Sequence, residues 1–521
     1  MGKFLNPGVI NMSLDKDDEF YVDKSMLISV LNKRINRRDR FLCVSRPRRF
    51  GKTMAANMIA AYYSKGCDSH EIFSDLKISH DPSFEKYINK YNVIKMDING
   101  IAFKKGNMTI AQYYNKEVVP ELIKQYPSVG LSDDIPLSNA LFSIYEATGD
   151  RFVFIIDEYD LPIRDEKYAS ELSEYIEFLV SLFKNEETNQ AIALAYLTGI
   201  MPIVREKIQS KLNNFTEYTM LKAKDMAPFM GFTEDEVRSL SLKAGMSFDE
   251  LKRWYDGYNL MNLEIYSPKS VVSAIEDNMC DDYWFQTSSY EAVTDYISLN
   301  LEGLKEDVVE MLSGNKVKVD VSLYRNTMSF VYKDDVLTYL IHLGYLAYDL
   351  AESSCYIPNK EIRDMWALMM KRTSGYSEVA RMIKESRNLL EATWKGDEKA
   401  VAEGVAKANM EISSILQYNS ESSLQSSLHL AYYYAKDYYT FVNELPAGKG
   451  FADIAFIPYK PNVPAIIVEL KKDDTVENAI KQIKERQYPN ALEKYKDNLL
   501  LVAICYDSGK KEYYCRIEKA K

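Results

Sequence analysis

Cysteine and histidine are scarce in this 521-residue sequence and do not cluster. The six cysteines form no CxxC pair and no zinc spacing, so they are predicted to be reduced thiols. With only four scattered histidines, a histidine-based metal site is not expected. No apolar run approaches the ~20 residues that span a bilayer, and the first residues lack the hydrophobic region of a signal peptide. These absences predict a cytoplasmic protein without a membrane partner.

Proline and glycine are also few, and a composition of 46% hydrophobic and 27% charged residues is typical of globular proteins. The length implies roughly two to four domains. A net charge of −11 argues against a general nucleic-acid coat protein. The segment from Lys33 to Lys52 nevertheless holds nine basic residues and one acid. It is interpreted as a solvated helix end followed by a phosphate loop, and the alternative is a nucleic-acid contact surface.

A strand pattern from Phe41 to Val44 leads into Gly51-Lys52-Thr53 and then into a helical pattern. This is the order of a P-loop. The first amides of the helix would hold phosphate, Lys52 would reach the β- and γ-phosphates, and Thr53 would ligate Mg²⁺. The usual first glycine falls on Arg46, so a chance Gly-Lys-Thr before a helix is the alternative. The residues predicted to bind ATP here are Arg49, Phe50, Gly51, Lys52 and Thr53.

A second strand pattern, Phe152 to Ile156, ends in Asp157 and Glu158. Asp157 would hold Mg²⁺ and Glu158 would polarise the attacking water, although acids after strands also serve as helix caps. A third strand leads into Thr198, which would sense the γ-phosphate or simply form a turn. Strands alternating with helices of about 10–18 residues predict a parallel sheet with both faces covered. Further helices are predicted over 234–244, 248–255, 268–276 and 335–348.

From about residue 10 to residue 350 the sequence resembles the bacterial AAA-ATPase-like family. That family has Arg-Pro-Arg-Arg-Phe-Gly-Lys-Thr in its P-loop, so Arg46 fits its pattern. The resemblance implies an ATP-binding, Mg²⁺-dependent module in which Lys52, Thr53, Asp157 and Glu158 have the roles given above. The segments that carry it are Tyr21–Lys24, Arg46–Thr53, Ile155–Asp160, Leu197–Ile200, Leu212–Asn214, Gly231–Glu236, Trp254–Tyr258 and Tyr283–Thr287.

The tail of the chain predicts a β-hairpin and a third strand that carry Asp453, Glu469 and Lys471. Because side chains alternate along a strand, Glu469 and Lys471 share one face. The two acids could bind Mg²⁺ or Mn²⁺ through oxygen, and Lys471 would orient water or steady the transition state of phosphodiester hydrolysis. A solvated strand end gives the same pattern and is the alternative. A helix predicted over 476–486 carries Gln482.

Three tail segments resemble a PD-(D/E)XK nuclease-superfamily domain: Gly448–Asp453, Val468–Lys471 and Ala479–Lys484. By this resemblance the two acids and the lysine named above form the core motif, and Gln482 corresponds to the glutamine of the following helix. A further acid is expected, which Glu444 or Glu421 could supply. Phe451 stands where Arg or Lys is common, and this weakens any inference about a substrate contact there.

The predicted fold is α/β, with a P-loop NTPase parallel sheet, a helical lid or arm, and a small restriction-endonuclease-like α/β domain. The predicted division is 1–231 for the ATPase-like domain, 232–358 for a helical lid or winged-helix-like region, 359–425 for a helical connector and 426–521 for the nuclease-like domain. The predicted function is ATP binding and hydrolysis coupled to a Mg²⁺- or Mn²⁺-dependent nuclease that acts on DNA rather than RNA. The alternatives are a nucleotide-switched module that binds nucleic acid or protein without cutting, and an ATPase whose tail assembles oligomers.

Overall fold

The computed structural model describes residues 2–101, 104–203, 211–284, 291–299, 301–322, 324, 329–416, 421–447, 450–485 and 488–520. The chain forms two compact units. The first unit comprises Met1–Ser289 with Lys318–Arg363, and the second comprises Tyr290–Val317 with Asp364–Lys521. Within the described ranges, no helix has both the length and the hydrophobicity needed to cross a membrane.

The α-helices are, in chain order, α1 Ile10–Lys16, α2 Met26–Asn32, α3 Lys52–Tyr63, α4 His70–Phe73, α5 Phe84–Tyr87, α6 Ile110–Gln125, α7 Leu137–Thr148, α8 Leu161–Arg164, α9 Leu172–Phe183, α10 Glu186–Gln190, α11 Glu234–Ala244, α12 Phe248–Tyr255, α13 Pro268–Glu276, α14 Glu291–Ile297, α15 Leu304–Ser313, α16 Lys333–Leu343, α17 Lys360–Met370, α18 Ser377–Lys395, α19 Glu398–Leu416, α20 Glu421–Ala431 and α21 Val476–Glu485. The strands are β1 Phe41–Ser45, β2 Asn92–Asp97, β3 Phe152–Asp157, β4 Ile192–Gly199, β5 Thr216–Tyr218, β6 Phe232–Thr233, β7 Tyr258–Leu260, β8 Leu263–Tyr266, β9 Val317–Lys318, β10 Ala347–Asp349, β11 Ser354–Tyr356, β12 Tyr439–Ala447, β13 Gly450–Pro458, β14 Ala465–Lys472, β15 Leu499–Asp507 and β16 Glu512–Lys519.

The first unit is built on a parallel sheet of order β2-β3-β4-β1-β5. Every residue of β1, β3 and β4 is buried, as a continuous apolar run predicts for a sheet that is covered on both faces. Alternate residues of β1 enter different cores: Phe41 belongs to the core that includes residues of α6, α7 and α9, while Leu42 belongs to the core that includes residues of α2 and α3. The predicted α/β fold class is confirmed, and the carboxyl ends of β1, β3 and β4 meet at one edge.

The helices that follow the sheet begin and end where the pattern predicts for α11, α12 and α13. The helix predicted over 335–348 is wrong in its last turn, because α16 ends at Leu343. Gly344 has a φ of 86°, a left-handed conformation that ends a helix, and the chain continues into β10. The sequence pattern did not reveal the break, because the apolar residues continue from the end of the helix into the start of the strand.

The second unit ends in a mixed sheet of order β12-β13-β14-β15-β16. Strands β12, β13 and β14 pair antiparallel, β14 and β15 pair parallel, and β16 returns antiparallel. The parallel pair needs a crossover connection, and α21 lies within it. Ile480 and Ile483 of α21 pack with Ile467 and Leu501 in the core of this sheet. The hairpin and helix predicted in the tail are therefore present, with residues 448–449 of the predicted turn outside the described ranges.

Candidate functional sites

The loop between β1 and α3 holds a buried lysine. Gly51 has a φ of 82°, where glycine is favoured because it lacks a Cβ. Lys52 is 5% exposed, and its Nζ donates to the carbonyl oxygens of Arg46 at 3.2 Å and Pro47 at 3.0 Å. Burial lowers the pKa of Lys52. The ammonium group is thus enclosed by the loop whose amides would hold phosphate.

Thr53 and Asp157 place two oxygen ligands side by side. The Thr53 Oγ1 donates to the Asp157 Oδ2 at 2.7 Å, which joins the first turn of α3 to the end of β3. Asp157 is 2% exposed, and burial raises its pKa. A hydroxyl next to a carboxylate is a donor set that Mg²⁺ accepts. These residues therefore fit the ion implied by the sequence.

Glu158 follows in a left-handed backbone conformation, with a φ of 52°. Its Oε2 accepts a hydrogen bond from the Nη2 of Arg164 at 2.9 Å, and its Oε1 lies 3.7 Å from the Nζ of Lys52. Because few residues other than glycine adopt this conformation, its presence here marks a constrained position. The carboxylate therefore lies between two cations at the mouth of the P-loop.

Asp160 and Arg164 form a further part of this site that the sequence analysis missed. Asp160 is fully buried, and its Oδ2 accepts from the amides of Ile200 at 3.2 Å and Met201 at 2.9 Å. The same oxygen lies 3.2 Å from the Nε of Arg164. The available signal was the i,i+4 spacing of this acid and arginine. That spacing also occurs in ordinary surface pairs.

Three further residues are predicted to bind ATP: Thr198 on β4, and Arg49 and Phe50 in the loop. Thr198 is fully buried opposite Asp157 in the pairing of β3 with β4, and its Oγ1 has no hydrogen-bond partner among the described residues. The Nη1 of Arg49 donates to the carbonyl oxygens of Tyr283 and Trp284, at 3.3 Å in both cases. The ring of Phe50 is buried edge-on to Tyr258 and Trp284. The loop is thereby fixed against the helical region of the first unit.

A cavity of about 910 Å³ opens in front of the P-loop. Its lining includes the P-loop, the segment around α1 and α2, and residues after β5. Among the lining residues are Tyr21, Lys52, Glu158, Arg164, Phe232 and Val272. Mixed aromatic and charged walls and a volume at the upper end of small-molecule sites suit a nucleotide.

The tail site lies on neighbouring strands of the second unit. Ile454 pairs with Val468, which places Asp453 of β13 and Glu469 of β14 one step further along the same ladder. The Asp453 Oδ2 accepts from the amide of Leu470 at 2.7 Å. Glu469 is 1% exposed, and its Oε1 accepts from the Nζ of Lys471 at 2.8 Å.

Gln482 of α21 completes this cluster, because its Nε2 donates to the same Oε1 of Glu469. Glu444 lies across from Asp453, between the pairs Asn443–Ile454 and Leu445–Ala452, and it is exposed with a φ of 48°. Glu421 begins α20, but its side chain and that of Phe451 lie outside the described residues. Two carboxylates and the Leu470 carbonyl are hard oxygen ligands that fit Mg²⁺ or Mn²⁺.

A separate group of three acids in the first unit shares one lysine. Carboxylate oxygens of Glu234, Asp256 and Glu264 lie within 4.8 Å of one another. The Nζ of Lys252 lies 2.5 Å from Glu234, 2.7 Å from Glu264 and 3.5 Å from Asp256. The ammonium group therefore already serves as a cationic partner to all three acids.

Comparison with known proteins identifies the two classes of domain. Residues 11–209 match the family model described as predicted AAA-ATPase, and residues 420–514 match the model of the PD-(D/E)XK nuclease superfamily. Both resemblances drawn from the sequence are confirmed, the first of them over residues 11–209. Residues 11–209 are therefore similar to AAA-ATPase-like proteins, and residues 420–514 are similar to the PD-(D/E)XK nuclease superfamily.

A curated relative is the uncharacterized protein in the vnfD 5' region of Azotobacter chroococcum mcd 1, which is 25% identical over 293 residues. That match covers 54% of this chain and 53% of the relative, so the chain spans about half the length of the curated protein it matches. Among solved structures, the ORC2 protein of Aeropyrum pernix in ADPNP and ADP complexes is similar with a TM-score of 0.32 and 12% identity, covering 68% of this chain and 97% of that chain. PCH-2 of C. elegans gives a TM-score of 0.20 and 10% identity, with coverages of 64% and 67%.

Proposed function

We propose that the protein binds and hydrolyses ATP at the P-loop site and that its tail is a metal-dependent nuclease that cuts DNA under the control of the nucleotide. The observation that carries the proposal is the convergence of Asp453, Glu469, Lys471 and Gln482 in a chain that also encloses Lys52 in a P-loop. If either domain had lost its activity, the side chains of its site would not need to stay in hydrogen-bonding contact. Both the P-loop site and the tail site keep these contacts.

At the P-loop site, Lys52 exchanges the two loop carbonyl groups for the β- and γ-phosphates, and the first amides of α3 hold the same groups. Thr53 and Asp157 would hold Mg²⁺, which supplies charge neutralisation of the phosphates when bound. Glu158 accepts the proton of the attacking water. Thr198 is the candidate sensor of the γ-phosphate, because it lies opposite Asp157 at the end of β4.

At the tail site, Asp453, Glu469 and the Leu470 carbonyl would hold Mg²⁺ or Mn²⁺, which supplies an activated water when bound. Lys471 steadies the negative charge that develops on the phosphate. Gln482 fixes the rotamer of Glu469 by donating to its carboxylate. Glu444 is the candidate for the further acid, because it lies across from Asp453 on β12.

The test is cleavage of linear, circular and single-stranded DNA with Mg²⁺ or Mn²⁺, with and without ATP. We expect Asp453→Ala to abolish cleavage and Lys52→Ala to remove the effect of ATP while leaving the tail site intact. Glu518→Ala is the matched control, because this acid belongs to the same sheet and pairs with Lys484 at 2.6 Å.

The absence of cleavage on any substrate, with ATP still bound, would reject the nuclease. Salt-dependent DNA binding without cutting would then favour a nucleotide-switched binding module.

A further inference from the structure

Arg164 lines the cavity in front of the P-loop. We propose that Arg164 is a positioning residue that fixes Glu158 for ATP hydrolysis; this inference rests on the ATPase activity proposed above. Arg164 is the last residue of α8, and its side chain is 14% exposed. Its guanidinium group contacts Glu158 through Nη2 and Asp160 through Nε. A planar guanidinium can hold two acids at once in a fixed relation.

Asp160, the second acid that Arg164 contacts, is held firmly in place. Asp160 is fully buried and receives two backbone hydrogen bonds from the residues that follow β4. A Cβ at Gly199 would lie 2.2 Å from the Oδ1 of Asp160, so the carboxylate rests directly on the backbone at the end of this strand. Asp160 therefore holds Arg164 against the central sheet. Through its contact with Glu158, Arg164 in turn holds the proposed general base in place.

Glu158 has two cationic neighbours, but they differ in what ATP does to them. Lys52 is 3.7 Å away and is the residue that the phosphates attract when ATP binds. Arg164 stays tethered by Asp160, so it remains the partner that holds the Glu158 carboxylate in place. A general base has to lie within hydrogen-bond reach of its proton, and a displacement of about 1 Å can lower a rate by about 100-fold.

The experiment is steady-state ATP hydrolysis by the full chain carrying Arg164→Ala or Arg164→Lys. We expect the alanine variant to lower kcat by about 10- to 100-fold with KM changed less than about threefold, because positioning acts on the reacting geometry. The lysine variant should recover part of kcat, since it keeps the charge but can hold only one acid firmly. Lys105→Ala is the matched control: its Nζ pairs with Glu171 at 3.0 Å and is similarly buried, at 15% exposure. Its kcat should equal that of the wild type.

A double-mutant cycle with Glu158→Gln separates positioning from general stability. If Arg164 acts through Glu158, Arg164→Ala lowers kcat no further in the Glu158→Gln background. The inference is overturned if the two substitutions lower kcat multiplicatively in the double variant. It is also overturned if Arg164→Ala is soluble and both Arg164 variants have the kcat of the wild type. If Arg164→Ala does not fold, the kcat of Arg164→Lys decides: a reduced value supports the inference and an unchanged value rejects it. Absence of turnover in the wild type would instead reject the proposed ATPase, and this role of Arg164 with it.

Discussion

At the scale of single residues, Glu361 shows how burial controls protonation near the P-loop. Its Oε1 accepts from the amides of Tyr283 at 2.9 Å and Trp284 at 2.8 Å, and its Oε2 accepts from the Ser270 hydroxyl at 2.9 Å. Burial raises the pKa of Glu361 to about 8 from an ordinary value of 4.5. The carboxyl group therefore keeps its proton at neutral pH in the folded protein, while it is ionised in the unfolded chain.

This pKa predicts a specific dependence of stability on pH. A raised folded-state pKa contributes stability that is complete below the unfolded value and is lost as pH rises towards the folded value, by up to about 1.4 kcal/mol per pH unit. Glu361→Gln mimics the protonated acid and does not titrate. We expect the variant to be more resistant to urea than the wild type by a margin that grows from about pH 6 to about pH 8. A margin that does not change with pH would contradict the assigned protonation state.

At the scale of secondary structure, two helix-ending glycines differ in their surroundings. Gly245 ends α11 with a φ of 70° and has nothing within 4 Å of an added Cβ. Gly344 ends α16 with a φ of 86°, and an added Cβ would lie 2.9 Å from the Pro47 side chain and 3.0 Å from Trp284. At Gly245 only the backbone conformation favours glycine, whereas Gly344 also lies against the P-loop.

Alanine at these two positions should therefore have unequal effects. We expect Gly245→Ala to lower the free energy of unfolding by about 1 kcal/mol, the cost of a left-handed alanine. Gly344→Ala should cost about 1–3 kcal/mol more, because the added methyl group must displace packed atoms. Urea denaturation of both variants provides the measurement. Equal losses would show that Pro47 and Trp284 move aside freely.

The same scale shows how far the sequence could predict this molecule. Lys52 and Thr53 were identifiable because the short Gly-Lys-Thr segment contains the whole motif. Asp157 was identifiable because it directly follows an apolar strand pattern. Asp160 and Arg164 were not, because their i,i+4 spacing also occurs in ordinary surface pairs and the amides that bond Asp160 come from beyond the end of β4. The roles of all these residues and the predicted domain boundaries remain predictions.

At the scale of the whole molecule, each compact unit has its own hydrophobic core. Units with separate cores are expected to unfold in separate transitions. A ligand stabilises the state that binds it by about 2.7 kcal/mol at 100 times its Kd. Because the P-loop and the tail are candidate ligand sites in different units, each ligand should shift a different transition.

We expect ATP with Mg²⁺ to raise the midpoint of one thermal transition in the wild type but not in Lys52→Ala. In the absence of nucleotide, Mn²⁺ should raise the midpoint of the other transition, and Asp453→Ala should remove that shift because it deletes a carboxylate ligand. Calorimetry of the full chain measures both effects, and Glu518→Ala again serves as the control for a lost acid in the same sheet. A single transition that both ligands raise would show that the units unfold together. A nucleotide shift that persists in Lys52→Ala would place the ATP site elsewhere in the chain.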